Sequence, residues 1–170
     1  MFDNIEKEDV CFAFFPCIRF DSQVSMSFRG DAKQQKKWSD QQKIEYSMKL
    51  HDELHYLYKK LCELVLICIE KELNIVIENP YTQPHYLSTY WCLKPKVIDK
   101  DRTVDGDFYK KPTQYWFINF EPKNNFLFEP IEYVETRTIE LERTAEQSGQ
   151  VRRSMIHPQY ADRFIRRFIL

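Results

Sequence analysis

LNIVIENP, residues 73–80, is the stretch that decides the fold, because its apolar run ends in a polar pair and a proline. Residues 9–16 have the same design, with a phenylalanine-rich apolar run that leads through Pro16 to Cys17. Short, continuous apolar runs of this kind are typical of strands that are buried on both faces. Both stretches are therefore predicted to be strands with polar or reactive side chains at their carboxyl ends.

A loop and one long helix are predicted between these two strands. Residues 19–37 are polar, and Gly30 is their only helix breaker. Ser39 then has the features of an N-cap, with Gln42 at the capping-box position, and apolar residues recur with helical periodicity to about Glu70. Strand, helix and strand in this order predict a βαβ unit with parallel strands.

The rest of the sequence adds further elements to this unit. TQYWFINF, residues 113–120, is predicted to be a third strand, and residues 124–141 are predicted to hold one or two more. Residues 142–153 are predicted to be an exposed, mobile loop. A last helix is predicted to begin near Pro158, with apolar side chains on one face and Arg163, Arg166 and Arg167 elsewhere.

Composition predicts a single folded domain, residues 1–170, inside a cell. The 25 basic side chains nearly cancel the 26 acidic ones, so any surface for a polyanion must be local. Five cysteines without a Cys-x-x-Cys pair indicate reduced thiols. No signal-peptide pattern and no apolar run of membrane length is found, so no membrane contact is expected. The expected location is the cytoplasm, that of a bacterial host cell.

The two predicted strands bring candidate catalytic residues to one edge of the sheet. Ligand sites in α/β sheets lie beyond the carboxyl ends of parallel strands, where Cys17 would meet Glu78 and Asn79. A simpler interpretation stays open, in which Cys17 is a small buried thiol and Glu78 caps a helix or pairs with an arginine.

A histidine-containing motif on the predicted long helix has the spacing of a zinc site. HDELH, residues 51–55, places His51 and His55 one helical turn apart, and His85 is the further histidine that suggests itself as a third ligand. Polar packing on an amphipathic helix explains the spacing better, so no metal is predicted.

The PC and ENP motifs together resemble the catalytic core of the cytosine-C5 DNA methyltransferases, in which PC and ENV end the corresponding strands. In that family the cysteine attacks C6 of a flipped cytosine, the glutamate holds N3 and the exocyclic amine, and the asparagine fixes the loop. The resemblance implies that Cys17 is the nucleophile, Glu78 the acid that binds the base, and Asn79 its support.

Later motifs extend the resemblance to a phage-encoded branch of this family. ENPYTQPHYLSTYW (78–91), DGDFYKKPTQYWFINFEP (105–122) and RSMIHPQYADRFIRRFI (153–169) are similar to segments of that branch in the same order. The resemblance covers the chain from about residue 10 onward and corresponds to the C-terminal half of such an enzyme. It implies a truncated, methyltransferase-like (Rossmann-like) α/β domain with a mostly parallel sheet flanked by helices.

Cofactor binding is not expected from this chain alone. Family members bind S-adenosylmethionine through an aromatic-x-Gly-x-Gly loop that precedes the catalytic cysteine. The sequence holds no such loop before Asp9, and its three glycines are isolated. We therefore expect no autonomous enzyme activity, and S-adenosylmethionine only where a partner chain completes the site.

Basic side chains near these motifs are the candidate contacts with DNA or a protein partner. Solvated surface charge is the competing interpretation, because aspartates in residues 99–107 interleave with a central basic cluster: Lys94, Lys96, Lys100, Arg102, Lys110 and Lys111. The candidates are Arg19, Lys110, Lys111, Arg152, Arg153, Arg163, Arg166 and Arg167.

Three functions follow as expectations. The first is a phage or mobile-element DNA-associated protein, derived from a cytosine DNA methyltransferase and without autonomous methyl transfer. The second is a counter-defence inhibitor of the anti-CRISPR type, which binds a bacterial DNA-targeting nuclease and blocks its DNA binding or cleavage. The third is the catalytic half of a split DNA cytosine-C5 methyltransferase. An exposed apolar edge at the first strand would support it, because the absent strands would leave that edge uncovered.

Overall fold

The computed structural model describes residues 4–21, 25–137 and 155–170. Four strands form one sheet: β1 (Val10–Phe14), β2 (Asn74–Pro80), β3 (Val97–Asp99) and β4 (Thr113–Ile118). The α-helices are α1 (Ser25–Phe28), α2 (Asp40–Glu70), α3 (Tyr86–Tyr90) and α4 (Pro158–Phe168), and 3-10 helices span Lys33–Lys37 and Arg102–Asp105. In these ranges no helix has the length and apolar character needed to cross a membrane.

The predicted βαβ unit is confirmed. β1 and β2 pair in parallel, with Val10 opposite Asn74 and Phe14 opposite Glu78. The helix between them begins where the sequence predicts: Ser39 Oγ accepts a hydrogen bond from the Gln42 backbone N–H, and Gln42 Oε1 accepts one from the Ser39 N–H. This capping box satisfies backbone donors that a helix start otherwise leaves without a partner.

The prediction of a mostly parallel sheet is wrong, because the sheet is mixed. Its order is β1-β2-β4-β3, and β4 pairs antiparallel with both β2 and β3. For β4 to pair in parallel with β2, the chain between them would have to cross over the sheet, usually as a helix long enough to span it. The connection from β2 to β4 contains only the five-residue α3, and β3 folds back on the outer side of β4. The fold is therefore mixed α/β, a four-stranded sheet flanked by helices.

The further strands predicted within residues 124–141 are absent from the described part of that range, residues 124–137. The chain there has no regular secondary structure, and its backbone bonds to helix α4 instead of to a strand. Asn125 N–H donates to the Arg167 carbonyl over 2.8 Å, and Lys123 N–H donates to the Phe168 carbonyl over 3.0 Å. These contacts satisfy carbonyls at the C-terminal end of α4, which have no partner inside the helix. The predicted loop at 142–153 lies outside the described residues.

Apolar side chains alternate between the two faces of the sheet and form a core on each. All six residues of β4 are buried, so this strand contributes to both cores. The core under α2 contains Leu61, Val65, Cys68, Ile75, Ile77 and Trp116. The core under α4 contains Val76, Tyr115, Phe117, Tyr160 and Phe164.

Helix α4 begins at Pro158, as predicted. His157 caps it, since its Nδ1 accepts a hydrogen bond from the Gln159 N–H over 3.1 Å. The apolar face buries Tyr160 and Phe164, but Arg163 is buried as well. The predicted separation of apolar and basic faces is therefore incomplete.

Candidate functional site

The parallel register of β1 and β2 places Cys17 and Glu78 at the same edge of the sheet. Phe14 ends β1 opposite Glu78, and Cys17 follows three residues later. Cys17 begins a turn in which its carbonyl accepts hydrogen bonds from the N–H groups of Phe20 (2.8 Å) and Asp21 (3.2 Å). This turn keeps the cysteine close to the end of β2.

Asn79 fixes the segment that leads to Cys17. It is fully buried, and its Nδ2 donates to the Phe15 carbonyl and to the Glu78 carbonyl, each over 3.0 Å. Its Oδ1 accepts from His85 Nε2 over 3.2 Å. Buried amides of this kind hold two chain segments in one geometry. Asn79 therefore links the exit of β1 to β2 and to the start of α3.

His85 is an uncharged supporting residue. Burial lowers its pKa to about 4, and only the negative charge of Asp21 opposes this shift. Because Nε2 donates to Asn79, Nδ1 carries the lone pair, and it has no hydrogen-bond partner among the described residues. The sequence suggested His85 only as a metal ligand, and its role beside Asn79 depends on a contact that no local pattern reveals.

Glu78 extends to the opposite face of the sheet from Asn79. It is on the α4 side with Val76, and only 6% of the residue is exposed. Lys111 Nζ lies 3.6 Å from its Oε1, an ion-pair distance, and Oε1 accepts no hydrogen bond from the described residues. A buried carboxylate oxygen without a hydrogen bond is costly, so it would gain from an N–H donor, but a ligand reaches it only if the edge opens.

The arrangement does not activate Cys17. Burial raises the pKa of its thiol, and the negative charges of Asp21 and Glu78 raise it further, while Lys111 acts in the opposite direction. The thiolate is the nucleophilic form of cysteine. In this environment Cys17 remains a thiol at neutral pH.

Most of the predicted basic contacts are held by carboxylates of the same chain. Arg19 Nε donates to Glu53 Oε2 of α2 over 2.6 Å. Lys111 pairs with Glu78, as described above, and Lys110 lies 3.7 Å from Asp101 but is largely exposed.

The arginines of α4 are neutralised as well. Arg167 forms two hydrogen bonds to Asp105, of 2.7 and 3.0 Å, and Arg163 Nε binds the same carboxylate over 3.3 Å. Arg166 pairs with Glu129. The other two candidates of this group, Arg152 and Arg153, lie outside the described residues.

A buried polar cluster next to this edge was missed by the sequence interpretation. Arg102 is completely buried, forms an ion pair with Asp107 and stacks 4.5 Å from the ring centroid of Tyr160. The Tyr160 hydroxyl donates to Asp99 Oδ2 over 2.9 Å and therefore accepts from Tyr115 over 2.8 Å. Burial raises the pKa of Asp99. The alternation of acidic and basic residues in 99–107 is typical of a solvated surface, so it gave no signal of burial.

Of the two histidines of HDELH, His51 contributes to packing and His55 is exposed. His51 Nδ1 lies 2.8 Å from the Ser47 carbonyl, and its ring meets Phe28 edge to face, with centroids 4.9 Å apart. In the part of the chain that the structure describes, no three His, Cys, Asp or Glu side chains are grouped so that they could hold a metal ion.

Comparisons of the chain with protein-family models, curated protein sequences and solved structures find no match. The geometry at the edge of β1 and β2 is therefore the basis from which a function can be inferred.

Proposed function

We propose that the chain is a DNA-associated protein of a phage or mobile element, derived from a cytosine-C5 DNA methyltransferase, which does not transfer a methyl group by itself. The observation that carries the proposal is the joint placement of Cys17 and Glu78 at one sheet edge, with Asn79 as a support of the segment that leads to Cys17. The resemblance in the PC and ENP motifs implies these three positions, and the hydrogen bond from Asn79 to Phe15 is compatible with its implied role.

The state of Glu78 supports recognition of a cytosine. The cytosine amino group is a hydrogen-bond donor, and carboxylates are its usual protein partners. Glu78 Oε1 is buried and accepts no hydrogen bond from the described residues, and Lys111 balances the charge. The oxygen is buried, so a base turned out of the duplex would satisfy it only after the side chains around Glu78 have moved apart.

Two features support the lack of methyl transfer by the chain alone. The thiol of Cys17 has a raised pKa, so it is not prepared for attack on a base. The three glycines in the 170 residues are isolated, so no glycine-rich loop is available for S-adenosylmethionine.

A binding measurement with two DNA duplexes tests the proposal. The affinity of the protein is measured by fluorescence anisotropy for a fully paired duplex and for the same duplex with one mispaired cytosine. Turning a mispaired base out of the duplex costs less free energy than turning out a paired one. We expect a preference for the mispaired cytosine, and we expect Glu78→Gln to remove that preference. Equal affinity of the unmodified protein for both duplexes contradicts the proposal. Tight binding to a DNA-targeting nuclease without DNA affinity favours the inhibitor instead.

The edge strand favours a second candidate, the catalytic half of a split methyltransferase. β1 is at the end of the sheet, and its outer edge has no strand partner in the described residues. Phe14 is 60% exposed there, and Ile18 beyond it is 57% exposed. Exposed apolar edge strands are typical sites for pairing with further strands. A cofactor-binding segment, on a second chain or elsewhere on the same one, would cover this edge.

Reconstitution tests the second candidate. The protein is mixed with the product of a neighbouring gene, and methyl transfer from labelled S-adenosylmethionine to DNA is measured. Activity that Cys17→Ala abolishes and Cys92→Ala retains supports the split enzyme, because Cys92 is an exposed cysteine outside the edge. Activity that survives Cys17→Ala rules out Cys17 as the nucleophile.

A further inference from the structure

Positive charge without a carboxylate partner is concentrated in residues 29–43, which contain none of the basic residues that the sequence singles out. Residues 29–43 contain five basic and two acidic side chains, whereas the whole chain has a net charge of −1. Of the five, Arg29 pairs with Asp31 over 3.4 Å. The other four form no ion pair within the described residues, and we call them the lysine platform: Lys33, Lys36, Lys37 and Lys43.

A buried glutamine holds the platform in place. Gln35 is fully buried in the 3-10 helix Lys33–Lys37, its Oε1 accepts from the Ala32 N–H over 3.1 Å, and its Nε2 donates to the Ser27 carbonyl over 3.0 Å. Because this side chain faces inward, the neighbouring Lys36 and Lys37 face solvent, as does Lys33. The three ammonium groups are thus presented by an anchored turn.

Lys43 is brought to the same surface by a close contact. The carbon chain of Lys43 lies against Gly30, where the Cβ of any larger residue would stand 3.4 Å from Lys43 Cδ. Gly30 has φ of 75°, a left-handed conformation that glycine adopts without strain. Phe28 of α1 packs on His51, and Trp38 packs edge to face on Tyr46, so aromatic contacts fix the platform to α2 at both ends.

We propose that the lysine platform is the surface that binds the phosphate backbone of duplex DNA. This inference rests on the proposed function and assigns its phosphate contacts to residues outside the candidate site. Lysines without internal partners can release condensed counterions from DNA, which is the main source of non-specific affinity. The arginines of α4 cannot do so without first leaving Asp105 and Glu129.

Side-chain composition favours nucleic acid over an anionic membrane. Between Lys33 and Lys37 the only other exposed side chain is Gln34, which is polar, and the exposed apolar side chains nearest in sequence, Met26, Ile44 and Met48, lie outside this segment. Binding to a lipid surface by a basic segment generally also requires apolar side chains that enter the acyl region. Phosphate contacts need only positive charge and polar donors.

A matched pair of triple variants tests the inference. Lys33→Ala, Lys36→Ala and Lys37→Ala are combined in one protein, and Lys59→Ala, Lys60→Ala and Lys71→Ala in the control. Both variants lose the same charge, and the control lysines are exposed side chains at the other end of α2. Affinity for a fully paired duplex is measured by anisotropy over a series of salt concentrations, after circular dichroism has shown that both variants are folded.

We expect the platform variant to lose affinity on the order of tenfold to a hundredfold at moderate salt, and the salt dependence to become shallower by about 0.9 for each lost phosphate contact. The control should stay within about threefold of the unmodified protein. An equal loss in both variants overturns the inference, as does an unchanged platform variant whose affinity for anionic lipid vesicles falls instead.

The outcomes separate this inference from the proposed function. If the platform variant keeps the preference for a mispaired cytosine while its overall affinity falls, both stand. If the platform variant binds like the unmodified protein and the preference persists, only the platform is wrong. If the platform variant loses affinity but the unmodified protein shows no preference, the platform stands and the proposed cytosine site is wrong.

Discussion

Two carboxylates next to basic side chains lie on the α4 side of this molecule, and their environments differ. Asp107 is buried with Arg102, and its Oδ1 accepts hydrogen bonds from the N–H groups of Phe108 (2.7 Å) and His157 (3.0 Å). Glu78 is also nearly buried, but its cation, Lys111, is 3.6 Å away and its Oε1 accepts no hydrogen bond from the described residues. Asp107 Oδ2 likewise accepts no hydrogen bond there, but it forms a direct ion pair with Arg102.

The different partners of the two carboxylates distinguish a structural ion pair from a candidate ligand-binding site. Asp107 ties the segment 102–107 to the residue that caps α4, so its contacts belong to the fold. Glu78 lies two residues before the end of β2, and its Oε1 has only the ion pair with Lys111, so this buried oxygen has hydrogen-bonding capacity left. Burial of a carboxylate alone is therefore a weak sign of function, and the number of its partners is more informative.

The largest effect is expected for the structural pair. Arg102→Ala leaves Asp107 buried without its cation, and we expect it to lower the free energy of unfolding by about 3–5 kcal/mol. Urea unfolding followed by circular dichroism measures the loss. The matched control is Arg167→Ala, which removes an arginine paired at a more exposed position and should cost about 1 kcal/mol or less. Similar losses in the two variants would mean that Arg102 is not the structural residue that its burial indicates.

A pH effect is expected from His85, the buried support of the edge. Its pKa is about 4 in the folded chain and about 6.5 when unfolded. A lowered pKa in the folded state gives stability that is complete above pH 6.5 and is lost as the pH falls toward 4. Each pKa unit corresponds to about 1.4 kcal/mol, so we expect a loss of up to about 3 kcal/mol.

Comparison with His85→Gln isolates this contribution from those of the carboxylates. A glutamine amide can still donate to Asn79 but does not titrate. The difference in unfolding free energy between the two proteins should change between pH 6.5 and about 4. A difference that stays constant over this range would show that His85 is not buried in its neutral form.

The smallest effect on stability is expected at Glu78. Glu78→Gln keeps the shape of the side chain and removes a single ion pair whose cation, Lys111, is partly exposed, so the free energy of unfolding should change by less than about 1 kcal/mol. Urea unfolding of this variant next to Arg102→Ala compares the two carboxylates directly. A loss of several kcal/mol would make Glu78 a structural residue of the same kind as Asp107.

Local patterns predicted the first half of the fold well. The capping box at Ser39, the long α2 and the two apolar runs around it are each encoded within a short window, and the structure confirms them. The direction of β4 could not be predicted in this way, because a run that is buried on both faces has the same appearance in a parallel and an antiparallel sheet.

Long-range contacts explain what the sequence did not reveal about the site. The order of the predicted strands indicated that Cys17 and Glu78 share a sheet edge. It did not indicate which side chains these residues contact. Arg163 was predicted to contact DNA or a partner, and the segment around Arg102 was interpreted as surface charge. Both arginines are buried, because Arg163 binds Asp105 and the Glu129 carbonyl and Arg102 stacks on the ring of Tyr160. The lysine platform was taken for an ordinary loop, since its lack of carboxylate partners is visible only in three dimensions.

Alkylation of the cysteines tests most directly whether the edge at Cys17 and Glu78 receives a cytosine. The protein is treated with N-ethylmaleimide at neutral pH, with and without a duplex that carries a mispaired cytosine, and modification is mapped by mass spectrometry. We predict slow modification of Cys17, because its thiol pKa is raised, and further protection by the duplex, with exposed Cys92 unaffected by DNA. Modification of Cys17 at the same rate with and without bound DNA would contradict the account.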